Sequence, residues 1–476
     1  VTPNAREDGP APRPSSSAAQ DPLARLDRIP VWPHSRRVLW VVGAGYFFAF
    51  FDIVTINFAS PVIAEQFHVS KAAVSVSVSS SLIGYIIGAY ADSTIADKWG
   101  RRLSLALSIA VFSLGTLLAA FSQNITELVI FRFIAGLGIG AEIAAVTTYI
   151  GELSPAPLRG RYTSWATTSA YLGFAVVPFV ARALVPTFAD GWRVLFVIGA
   201  VGALTILYLR RALPPSPRWL VSQGRTGEAE EVVAEAETRA RKERGVELPA
   251  PEPVPEEPAA ERFPTRALLR PPYRGRLLLL VAVWFVYYVG NYGWLTLNAN
   301  LFTDKGYSLT DSITYLLISG IGFLVGAYAT THFTDRIERK HSIAVIAVAW
   351  GICLLVIGFF VSPAIIIVFG FLASATIGLL VPLLYTYTAE HFATNARASG
   401  IALSDGLGHL GGFFAPVLVL GANSLWGFSS AFVVMAVSGF LTAVLVLFGI
   451  RATARSLETV TAGSGAARSR SPRQAT

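Results

Sequence analysis

Ser81-Leu-Ile-Gly84-Tyr-Ile-Ile-Gly88-Ala89-Tyr90-Ala91-Asp-Ser-Thr-Ile-Ala-Asp97-Lys-Trp-Gly100-Arg101-Arg102 returns 238 positions later as Ser319-Gly-Ile-Gly322-Phe-Leu-Val-Gly326-Ala327-Tyr328-Ala329-Thr-Thr-His-Phe-Thr-Asp335-Arg-Ile-Glu338-Arg339-Lys340. Small residues recur in register, and so does the charged ending. At the same offset Glu152 and Arg159 answer to Glu390 and Arg397. One offset serving four separate groups means a duplicated unit. A duplicated bundle of membrane helices can rock one half against the other around a central site. The repeat therefore bears on mechanism as well as fold.

The units are membrane bundles because of what lies between the charges. The chain has 476 residues, 53% hydrophobic and 14% charged, where a soluble protein carries about 25% charged residues. Its mean hydropathy is +0.54. Twelve apolar runs of roughly 18–24 residues are each long enough to cross the hydrocarbon as a helix. They lie near 38–59, 74–95, 103–122, 128–150, 164–184, 193–210, 277–301, 312–332, 342–361, 364–387, 398–420 and 428–450. Short alternating strands, the mark of a membrane barrel, are missing. The expected fold is an all-α membrane protein of two six-helix bundles related by a pseudo-twofold axis.

The same reading divides the chain into a disordered N-terminal tail (1–35), a first bundle (36–211), a linker (212–276), a second bundle (277–451) and a disordered C-terminal tail (452–476). Of 38 Lys and Arg residues, only Lys71, Arg132, Arg182, Arg193 and Lys305 fall outside the tails, linker and loops of one side. By the positive-inside rule that side is cytoplasmic, which puts both termini inside the cell membrane. The net charge of +8 thus reads as topology and not as a nucleic-acid surface, which would need a basic stripe with stacking aromatics. The linker holds a surface helix, with acids from Glu228 to Glu237 before Arg239 to Arg244, and then a Pro/Glu-rich tether at 249–264. A single cysteine, Cys353, excludes a disulfide framework or a cysteine metal site. Gly136-Leu-Gly138-Ile-Gly140 has the wrong spacing for a nucleotide loop and lies inside a span with no strand before it.

Asp97-x-x-Gly100-Arg101-Arg102, Arg132-x-x-x-Gly136-x-Gly138-x-Gly140 and Glu152-x6-Arg159-Gly160 together resemble the major facilitator superfamily. Pro215-Ser216-Pro217-Arg218-Trp219-Leu220 after span six resembles the signature of its sugar-porter-like branch. The resemblance runs over about residues 36–455 and implies the major facilitator fold, secondary transport by alternating access, and function as a monomer. Two departures bear on substrate. Hexose porters carry paired glutamines early in span seven, but here that helix reads Trp284-Phe-Val-Tyr287-Tyr288-Val-Gly290-Asn291-Tyr292-Gly293-Trp294. Its Tyr-Gly pair, with Gly140-Ala-Glu142, is closer to the metabolite, nicotinate and aromatic-acid proton symporters. In the second half Glu338 replaces the motif glycine, which marks that loop as the degenerate copy.

Ionisable groups inside the bilayer cost about 2.5–3.5 kcal/mol on insertion scales, so each demands a partner or a task. Asp52 on span one and Arg132 on span four lie about 10 and 6 Å below the outer boundary at 1.5 Å per residue. They can meet, and protonating Asp52 would release the arginine. In proton-coupled sugar porters an acid on the first span pairs with an arginine on the fourth, so the resemblance points to the same two residues. Glu142 is expected on the cavity wall, touching substrate or a cation, or as a neutral carboxyl hydrogen-bonded between helices. Tyr287, Asn291 and Tyr292 suit a pocket for a small organic ligand. Asp405 and His409, four apart on one helix, are expected at the substrate cavity too, where they suit a proton relay or a satisfied polar pair.

The cytoplasmic clusters Asp97, Gly100, Arg101, Arg102, Glu152 and Arg159, with Asp335, Arg339, Lys340, Glu390 and Arg397, are expected to form gates that close the inner side and break on switching. The reading is a proton-coupled symporter of a small organic acid or sugar-like solute, with a proton as coupling ion and no cofactor or metal. A passive facilitator and a nutrient sensor on a transporter scaffold are the alternatives. No nucleophile elbow, metal cluster or phosphate loop argues for an enzyme.

Overall fold

The computed structural model describes residues 21–251, 265–333, 338–392 and 394–450, and among them there is no strand. Twelve helices are long and apolar enough to cross a membrane, matching the twelve expected runs. The first six are α2 (Arg36–Gln66), α3 (Lys71–Trp99), α4 (Arg101–Ala120), α5 (Ile125–Leu153), α6 (Arg159–Leu184) and α7 (Gly191–Leu209). Their counterparts are α10 (Tyr273–Asp304), α11 (Leu309–Phe333), α12 (Arg339–Phe359), α13 (Pro363–Glu390), α14 (Thr394–Trp426) and α15 (Phe428–Leu447). Local chemistry starts several of them. Ser35, Ser70, Asn124 and Ser362 each accept a hydrogen bond from a first-turn backbone N–H, as helix N-caps do. Large apolar side chains such as Trp40, Tyr90, Leu114, Phe179, Val345 and Leu441 stand exposed around the outside, where hydrocarbon replaces water.

The sequence repeat is also a repeat of contacts. A Cβ at Gly84 or Gly88 on α3 would overlap the Phe133 or Leu137 carbonyl of α5. At Gly322 and Gly326 on α11 it would overlap the Phe371 and Ala375 carbonyls of α13, 238 positions on in every case. Small residues let these backbones touch where lipid supplies no hydrophobic drive for helix pairing. Arg101 bonds Glu152 and Arg339 bonds Glu390 at the same offset. Two six-helix bundles built alike follow from this.

The bundles meet through α2 with α10, α3 with α14 and α6 with α11. Every hydrogen bond and ring contact that joins them lies at mid-depth or toward the end away from the linker, among the described residues. Asn57 donates to Asn298 at 2.6 Å and Asn300 to Ser60 at 2.9 Å. Lys71 pairs with Asp304 at 2.6 Å. Arg182 donates to Thr314 and Ser79 to the Phe413 carbonyl.

Two expectations about the soluble parts need correction. Residues 1–20 and the C-terminal tail lie outside the described residues, but the segment expected as tail is ordered from Asp21. It forms α1 (Pro22–Asp27). Leu26 and Ile29 are buried against Val233, Ala236 and Ala240 of the linker helix α9 (Thr226–Arg244). Arg25 and Arg28 both bond Glu237, at 2.8 and 2.6 Å. The linker helices are likewise docked and not freely solvated. The short α8 (Pro217–Ser222) sets Trp219 against Gly100, whose φ of +96° favours glycine, and its indole donates to the Asp97 carbonyl at 3.0 Å. Ser216 donates to Glu152 at 2.6 Å. The tether at 252–264 lies outside the described residues.

Candidate functional site

Asp52 and Arg132 meet as expected. Asp52 Oδ2 accepts from Arg132 Nη1 at 2.6 Å, and Oδ1 accepts from Thr116 on α4 at 2.8 Å. Both partners are about 1% exposed. Such a pair is stable only while both charges are present, because either alone would be desolvated and uncompensated. Arg132 also lines a narrow cavity of 20 Å³ between the halves, together with Ser81, Tyr85, Tyr292 and Thr296. That is room for about one water. Its Nε is buried and makes no hydrogen bond. Arg132 therefore connects the acid of α2 to the seam where the two bundles separate.

Glu142 departs from the expectation. It does not line the cavity between the halves but points into the first bundle, fully buried. There it accepts from Ser108 at 2.6 Å and from Arg210 through both carboxylate oxygens. Arg210 follows the end of α7, and Gly45 on α2 makes room for it: a Cβ there would overlap its guanidinium. Arg210 was missed in the sequence because a basic residue closing a span reads as an interface anchor.

The second bundle contributes a different arrangement. Asp405 on α14 accepts from the hydroxyls of Tyr288, at 2.6 Å, and Tyr385, at 3.0 Å. His409 shares its helix face but bonds the Asp405 carbonyl through Nδ1 at 2.8 Å, with the carboxylate 3.7 Å away. Its ring lies between Tyr85 of the first bundle (4.2 Å, 22°) and Tyr288 (4.0 Å, 39°). Gly408 and Gly411 allow this by letting α10 press against α14. Tyr292 reaches the cavity as expected. Tyr287 does not: it is buried among Trp284, Tyr288 and Trp350 inside the second bundle, its hydroxyl unbonded. Asn291 is buried with Oδ1 unbonded. Tyr85, Tyr288 and Tyr385 were not singled out from sequence, since phenols scattered over three helices carry no spacing signal.

Among the described residues, the charged clusters at the linker end make these bonds. Arg101 bridges Asp97 at 2.7 Å and Glu152 at 2.9 Å. Arg102 instead donates to the Arg211 carbonyl, and Arg159 to the Gly151 carbonyl at 3.0 Å. In the second half Arg339 binds Glu390, and Lys340 reaches the Leu447 and Gly449 carbonyls at 3.3 Å. Arg397 lies in the first turns of α14; Asp335 is outside the described residues. In this conformation the Arg101 and Arg339 bridges are formed, and each braces helices of one bundle.

A family model described as "Sugar (and other) transporter" matches residues 38–463. The niacin transporter NiaP of Acinetobacter baylyi is 30% identical over 92% of this chain and 99% of its own. The 4-hydroxybenzoate transporter PcaK of the same organism is 28% identical over 83% of this chain and 87% of its own. Among solved structures, an inward-open conformation of the xylose transporter XylE from E. coli has a TM-score of 0.71 at 20% identity, covering 89% of this chain and 98% of that one.

Proposed function

Because the chain belongs to the sugar (and other) transporter family, within the major facilitator superfamily, we propose that it carries a small ring-bearing organic acid across the cell membrane by proton-coupled symport. The family is one of metabolite transporters, not enzymes. The observation that carries the finer reading is Arg132, which holds Asp52 and lines the cavity between the halves. Protonating Asp52 removes the charge that holds the guanidinium and frees it for a substrate carboxylate. Proton and anion would then travel as a neutral pair. The relatives for niacin and 4-hydroxybenzoate, both ring acids, and the absence of glutamine from α10 favour an acid over a hexose. The Lys/Arg bias puts the linker and both termini in the cytoplasm. With the bundles zipped at the opposite end, this conformation then faces inward.

The test is reconstituted transport. Asp52→Asn should abolish accumulation driven by a pH gradient and leave substrate exchange working. Uphill uptake equal to that of the unaltered protein would overturn the reading.

A further inference from the structure

Away from their end turns, the described spans bury three acidic side chains, Asp52, Asp92 and Glu142, and partly bury a fourth, Asp405. Two are held by arginines, and Asp92 is buried with the Ser104 hydroxyl on it. Asp405 differs in exposure: like Asp92 it has no lysine or arginine partner among the described residues, but its side chain is 15% exposed. Both phenol hydroxyls that reach it use Oδ1; Oδ2 makes no hydrogen bond to protein. His409 adds a second acceptor. Its Nδ1 faces a carbonyl, which can only accept, so Nδ1 carries the proton and Nε2 keeps its lone pair. Nε2 likewise makes no hydrogen bond to protein.

Two free acceptors in a low-dielectric setting call for a donor. Aromatic rings surround them: Tyr385 packs on Trp284 at 4.7 Å and 52°, and the His409 ring itself stacks on Tyr85. Tyr85 and Tyr292 both line the Arg132 cavity and both touch His409. The Arg132 end and the Asp405 end are thus joined by one aromatic surface, basic at one side and acceptor-rich at the other.

Building on the acid-transport reading above, we propose that Asp405, with His409, is the subsite for a hydrogen-bond-donating group (phenol O–H or amine N–H) on the ring of the solute. Arg132 meets the carboxylate, the tyrosine faces meet the ring, and Asp405 selects for the donor. A site built to accept from a donor rejects analogues without one, because its own groups are then left unpaired.

Counterflow in proteoliposomes of the full chain tests this with 4-hydroxybenzoate and 4-aminobenzoate against benzoate and 4-methoxybenzoate, plus tyramine as a donor-bearing ring cation without a carboxylate. The unaltered protein should prefer the donor-bearing acids by about tenfold or more. Asp405→Asn should shrink that preference to about twofold, whereas Tyr385→Phe, which keeps the carboxylate, should retain it. No preference in the unaltered protein would overturn the subsite and leave acid transport standing. An equal loss for all acids in a folded Asp405→Asn protein would also overturn it. Asp405-dependent exchange of tyramine without any acid would sink the acid reading and uphold the subsite. Movement of none of the five probes would end both.

Discussion

The two bundles share a skeleton but not their charges. The glycine seams and the Arg–Glu brace recur at one offset, yet Asp52, Arg132, Glu142 and Arg210 stand against Gly290, Gly370, Leu380 and Phe448. The second half has closed over the positions of the first ion pair: a Cβ at Gly290 would overlap the Ser438 hydroxyl, and one at Gly370 would press on Ser319. Conversely, Asp405, Tyr288 and Tyr385 stand against Thr167, Phe50 and Thr147. Duplication preserved what holds helices together in lipid, and function diverged on top of it. The first half pairs Asp52 and Glu142 with arginines, and the second presents Asp405, which has no arginine partner among the described residues.

That contrast breaks most directly through stability. Arg210→Met leaves Glu142 buried and unpaired, and should cost about 3–5 kcal/mol in thermal unfolding of the purified protein. Much of that loss should return in the Arg210→Met, Glu142→Gln double variant. Asp405→Asn keeps an oxygen for Tyr288 and Tyr385 and should cost about 1 kcal/mol or less. Equal costs for the two single variants would mean the halves use their acids alike. The shared skeleton makes the opposite forecast. Gly84→Val and Gly322→Val should destabilise by similar amounts, about 1–3 kcal/mol each, and a large difference would show that one seam bears more of the packing.

The smallest effect is at the first half's docked terminus. Burial raises the Glu237 carboxyl, but the hydrogen bonds from Arg25 and Arg28 outweigh it and hold it below its ordinary value. Burial also pushes His34 down to about 4. Both groups take a proton less readily when folded, so stability is lost as pH falls. His34 contributes the loss between about 6.5 and 4, and Glu237 the further loss as pH drops through its lowered value. Hydrogen-exchange protection over residues 22–35, taken relative to the intrinsic amide rate at each pH, should fall from pH 7 to pH 4, and Glu237→Gln should flatten the acid limb. Protection that ignores pH would show that apolar contacts alone hold this segment.

Much was legible beforehand because membrane physics writes itself locally. A run of apolar residues must be a spanning helix, and an offset shared by glycines and charges must be a repeat. Even the Asp52–Arg132 meeting could be estimated from helical rise. Glu142 could not be placed, since its partner lies 68 residues away and enters only because Gly45 leaves a gap. The α1 segment was hidden for a related reason: six residues between prolines give little pattern until α9 supplies the apolar face they cover.

By itself, then, the sequence determined twelve spans, their duplication and the acid and base that face one another near one end. These depend on spacing along single helices. Tertiary structure alone decided that Glu142 is held inside a bundle while Asp405 keeps an oxygen free, and that the bonds between the halves, among the described residues, lie at mid-depth or away from the linker. Those outcomes depend on which helix faces meet across the bundle, and a buried charge is decided by whichever neighbour reaches it.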